Sequence, residues 1–78
     1  MLTKKQELKA FILRQTWAGK KYIKTSEIAK WGVDNYSNRA MRNARELAFE
    51  DVLKRVPKDE AVLLGLTNGR ESVWEILI

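Results

Sequence analysis

The chain has no cysteine and no histidine in 78 residues. That excludes disulfide staples, thiol nucleophiles, imidazole bases and every zinc site built from Cys or His. Proline occurs once and glycine four times, too few for a low-complexity or collagen-like chain. Aromatic residues make up 9%. No apolar run approaches the roughly 18 residues of a membrane span. The N-terminal segment carries Lys4, Lys5, Glu7, Lys9 and Arg14 where a signal peptide needs an uncharged apolar stretch. A protein of the cytoplasm is therefore expected.

What is present is a small apolar domain with an excess of positive charge. Hydrophobic residues reach 45% and formal net charge is +5, which argues for one folded domain over residues 1–78 rather than a disordered basic tail. The charge is unevenly placed. Residues 1–45 hold eleven Lys and Arg against three acidic residues, a balance of +8. Residues 46–78 hold four against seven, a balance of −3. Such asymmetry points to one polyanion-facing side.

Thr3-Lys4-Lys5-Gln6 has the spacing of a capping box. Leu8, Phe11 and Ile12 follow at helical intervals, so a helix is predicted over about residues 4–16, ended by Ala18-Gly19. Tyr22–Thr25 leans toward β. Thr25 or Ser26 starts a second helix running through Trp31, with Ile28 and Ala29 inside, and Gly32-Val33-Asp34-Asn35 reads as a turn. Asn35 or Ser37 is expected to cap a third helix beginning near Tyr36. On a helical wheel Tyr36, Ala40, Ala44, Leu47 and Ala48 fall within about 120°, a core-facing stripe, with Asn38, Arg42 and Arg45 opposite. Phe49, Val52, Leu53 and Val56 would fall on the polar side, so a break is expected near residues 48–51. Beyond it, Val52–Val56 reads as a strand and Pro57-Lys58-Asp59 as a turn, with a short helix over 59–64 as an alternative. Asn68-Gly69 is a strong two-residue hairpin signal between arms at Ala61–Thr67 and Arg70–Ile78. Trp17, Trp31 and Trp74 are expected in the core.

The order helix, strand, helix, turn, helix, hairpin resembles a winged helix-turn-helix domain, common in small bacterial, archaeal and phage DNA-binding proteins. The resemblance rests on Thr25–Val33 as helix two and turn, on the Ala40…Ala44…Leu47 spacing, and on Val52–Val56 with Asn68–Ile78 as a wing. It spans nearly the whole chain. It implies an α+β fold, a winged helix of three helices with a C-terminal β-hairpin wing. The partner it implies is double-stranded DNA, as for a small transcriptional regulator.

Carried onto these positions, the third helix would bring Ser37, Asn38, Arg39, Arg42 and Asn43 to base edges, with Arg45 on phosphate. Lys24, Ser26 and Lys30 would meet backbone phosphates, helped by the helix N-terminus, and Arg70 would reach from the wing. The alternative is a winged-helix protein-interaction module that does not bind DNA, because Glu46, Glu50 and Asp51 stand close to the proposed DNA face. The apolar end Ile76-Leu77-Ile78 suggests strand pairing in a homodimer. Catalysis is not expected: Ser37 and Ser72 have no imidazole to activate them, and neither Glu50-Asp51 nor Asp59-Glu60 has the facing geometry of an acid–base pair. Neither cofactor, metal nor small-molecule substrate is implied.

Overall fold

Local interactions start the chain. In the computed structural model, which describes residues 2–78, the capping box forms as the sequence suggests. Thr3 Oγ1 accepts from the Gln6 N–H at 3.1 Å, and the Thr3 N–H donates to Gln6 Oε1 at 2.8 Å. Two of the orphan amides at the start of α1 (Lys4–Trp17) are thereby satisfied. Leu8 and Ile12 are fully buried on its inner stripe. Trp17 is not in the core as expected, but 76% exposed. It stands nine residues beyond Leu8, and at about 100° per residue that is half a turn round the helix. Gly19, at φ +86, turns the chain out of α1.

The next helix is longer than the sequence suggested. After β1 (Tyr22–Lys24), α2 runs from Thr25 to Asp34, so Gly32-Val33-Asp34 is helix and not turn. Gly32 is there for packing. A Cβ on it would lie 2.8 Å from the Cβ of Ala40 and 2.8 Å from the Ser37 carbonyl oxygen. The bare glycine lets the start of α3 (Ala40–Phe49) approach α2 closely.

The connection 35–39 corrects three further expectations. Asn35 does not start the third helix but closes the second: its N–H and its side-chain amide both donate to the Trp31 carbonyl at 2.9 Å. Tyr36 is not core; it has φ 55 and is 95% exposed. Ser37 is buried, and its N–H donates to the Gly32 carbonyl at 2.7 Å. The stripe Ala40, Ala44 and Leu47 is buried as expected. The helix ends at Phe49, which is 89% exposed, and Asp51 at φ 60 redirects the chain.

The second half departs most from the hairpin expectation. Val52 and Leu53 are buried at the start of β2 (Leu53–Arg55). The first hairpin arm is then replaced by a short helix, α4 (Lys58–Leu63). Pro57 precedes it, and Asp59 and Glu60 sit in its first turn, where negative charge is favoured. Asn68-Gly69 still turns the chain, but only Gly69 has positive φ, at 93°. The Asn68 side chain accepts from the Arg70 N–H at 3.1 Å, a local bond that replaces the two-residue hairpin turn. The final strand, β3 (Val73–Ile76), pairs antiparallel with both β1 and β2, giving the order β1-β3-β2. The fold is thus α+β, with four helices rather than three and a three-stranded antiparallel sheet.

One core joins these parts. Leu8 and Ile12, Ile28 and Trp31, Ala40, Ala44 and Leu47 meet Ile23, Leu53 and Trp74 of the sheet. A smaller cluster of Val56, Ala61 and Val73 fastens α4 to the sheet. Because β3 is the central strand, its edges are taken. The Ile76 N–H bonds Lys21 and the Leu77 N–H bonds Val52. Leu77 and Ile78 extend beyond β3 and stay 45% and 44% exposed. No helix among the described residues is long and apolar enough to cross a membrane.

Candidate nucleic-acid interface

The close approach of α2 and α3 at Gly32 leaves an open groove of about 800 Å³ on their outer side. Ala29 and Val33 of α2, Tyr36, Asn38 and Arg39 of the connection, and Met41, Arg42 and Arg45 of α3 line it. No carboxylate lines it. Arg39, Arg42 and Arg45 are exposed and enter no ion pair among the described residues. Lys30 is exposed on α2.

One of the nearby acidic residues is engaged away from this surface. Glu50 accepts from Lys5 Nζ at 2.6 Å, a link from the end of α3 to α1. That hydrogen bond holds the Glu50 carboxyl below its ordinary range, and the same bond, with the charges of Glu50 and Glu46 behind it, raises the Lys5 amine. Glu46, half-buried on α3, stands one turn beyond Arg42. Neither Glu46 nor Glu50 lines the groove, and Glu50 is held by Lys5.

Two expected contacts are spoken for within the chain. The N–H and Oγ of Ser26 both donate to Glu71 Oε1, at 3.1 and 2.8 Å. The N–H and Oγ1 of Thr25 both donate to the Ser72 carbonyl at 3.0 Å. The first donors of α2, expected to meet a phosphate, are occupied by the loop before β3. Ser37, expected at a base edge, is buried to 9% exposure within the lining of the groove. Lys24 and Asn43 are half-buried, Asn38 is exposed, and Arg70 is exposed but lies outside the groove. Arg70 shares a separate recess of about 250 Å³ with Arg55 and Lys58.

Val33, Tyr36, Arg55 and Lys58 belong to these surfaces without having been expected there. Arg55 and Lys58 lie close to Arg70 only because α4 folds back on the sheet. Val33 was assigned to a turn and Tyr36 to the core. An aromatic next to turn-forming Asp34-Asn35 was the available signal for an exposed side chain.

The Ser26–Glu71 link makes stability depend on acid. Hydrogen bonds from the Ser26 backbone and then from its hydroxyl, with the charge of Lys24, lower the Glu71 carboxyl from its ordinary 4.5. A carboxyl depressed in the folded state stabilises the fold above its unfolded value and loses that contribution as pH falls through the folded one. Melting temperature is expected to drop as pH is taken below about 4.5. Glu71→Gln should flatten part of that drop, measured by circular dichroism; an unchanged profile would contradict the link. Glu50 contributes in the same direction.

Among the described residues no three His, Cys, Asp or Glu side chains gather where a metal ion could be held. Comparison with protein-family models, curated proteins and solved structures finds no match for the chain.

Proposed function

We propose that the chain is a winged-helix DNA-binding domain of a small transcriptional regulator, placing α3 in the major groove. The observation that carries this reading is the groove surface bearing Arg39, Arg42 and Arg45 without a carboxylate among its lining residues. Guanidinium groups there can bond guanine O6 and N7 or phosphate oxygens. Lys30 on α2 adds a phosphate contact. The sequence of elements supports the same reading: β2 and β3 form the wing, with α4 inserted between them, and β1 completes the sheet. Binding, not catalysis, is the proposed activity.

The test is titration of a random-sequence duplex at two salt concentrations, followed by fluorescence anisotropy. With about four cations on phosphate, the slope of log affinity against log salt should be roughly −3.6. Absence of binding at low salt would sink the proposal.

A second reading has its own observation. Trp17, Phe49 and Leu63 are 76%, 89% and 86% exposed, and aromatic side chains are enriched at protein interfaces. On that reading the domain is a protein-interaction module, and duplex affinity would be absent while those apolar groups bind a protein partner.

A further inference from the structure

Tyr36 has no visible task in the fold. Its side chain is 95% exposed, and its backbone sits at φ 55, a conformation that glycine adopts more easily than tyrosine. Its hydroxyl makes no hydrogen bond among the described residues. A large apolar ring kept in water on an unfavourable backbone points outward to a ligand. Val33, 77% exposed at the end of α2, lines the same groove, as do Arg42 and Arg45.

Resting on the DNA-binding reading above, we infer that Val33 and Tyr36 read the C5-methyl group of thymine beside the base or phosphate held by Arg42. The chemistry follows from what the major groove presents. Its base edges carry donors and acceptors, which suit Arg, and one apolar group, the thymine methyl, which suits a valine or tyrosine side chain. The minor groove offers no such methyl, and a phosphate offers nothing apolar. A lone exposed tyrosine is also a poor platform for successive unpaired bases, which stack on several aromatics.

The experiment uses the whole chain. A duplex enriched by the protein from a randomised pool is synthesised once with thymine and once with deoxyuridine throughout, so that the two differ only in methyl groups. The deoxyuridine form should bind roughly fourfold more weakly for each methyl buried. Tyr36→Gly and Val33→Ala should bind the two forms more nearly alike, while still binding duplex through the arginines. Tyr36→Gly should melt no lower than the parent, because glycine suits that backbone, so a loss of discrimination cannot be ascribed to unfolding. Equal affinity of the parent for both forms overturns the inference and leaves DNA binding standing. Tighter binding to the separated strands than to the duplex overturns it in favour of stacking. No binding to any duplex overturns both.

Discussion

Changing Arg42 and Arg45 together to alanine should lower duplex affinity by about ten- to a hundredfold, with the salt slope falling by about one for each arginine that sat on phosphate. The size follows from the contacts available. A guanidinium bonded twice to guanine contributes about 1–3 kcal/mol of discrimination, and tenfold in affinity is about 1.4 kcal/mol. Both side chains are exposed and unpaired with any carboxylate, so removing them breaks nothing that holds the fold. The melting temperature should stay within a few degrees. Anisotropy with the double variant and the parent, at two salt concentrations, measures both quantities. Unchanged affinity would show that α3 is not the contacting helix. A different protein face, such as the recess of Arg55, Lys58 and Arg70, would then carry any binding.

Trp31→Ala should have the largest effect on stability. Trp31 is 6% exposed and stands with Leu8 and Ile12 of α1 and Ala40, Ala44 and Leu47 of α3 in one cluster. Its ring centroid is 6.1 Å from that of Phe11, at an interplanar angle of 34°. Truncating a buried Trp to Ala costs about 3–5 kcal/mol, part lost transfer energy and part the cavity left behind. A chain of this length is stable by only about 4–12 kcal/mol. At about 4–8 °C per kcal/mol for a domain of this size, the melting temperature should fall by about 12–40 °C. Thermal unfolding followed by circular dichroism checks this, and a shift below about 5 °C would place Trp31 outside the core. Trp17→Ala is the matched comparison: its exposed ring should cost little. The two tryptophans look alike in sequence, each at the end of an apolar pattern, and their helical phase separates them.

Some of the structure was legible beforehand because it depends on near neighbours. A hydroxyl and an amide three residues apart form the cap of α1. Apolar residues at intervals of three and four bury Leu8 and Ile12, and likewise Ala40, Ala44 and Leu47. The break near residues 48–51 followed from the failure of that phase at Phe49. Other features were misread because the same residue serves two local patterns. Gly32 fits a turn equally well, and only the nearness of Ala40 makes it a packing position. Ala61–Leu64 follows a proline, which ends a strand as readily as it starts a helix, and the helical alternative over 59–64 is the one that forms. Asn68-Gly69 suits a tight hairpin, yet α4 consumes the residues that would have formed the first arm.

The amino-acid order by itself determined α1 and its cap, the buried stripe of α3, the excess of cations in the first half, and the lack of thiol and imidazole chemistry. It also placed Arg42 and Arg45 opposite that stripe. Only the tertiary structure decided which charged groups remain free. Glu50 turns to Lys5, and Glu71 to Ser26, each across 45 residues of chain. No local periodicity encodes such a distance; it is set when the helices and the sheet close on a common core. That closure leaves Arg39, Arg42 and Arg45 uncovered while it occupies the start of α2.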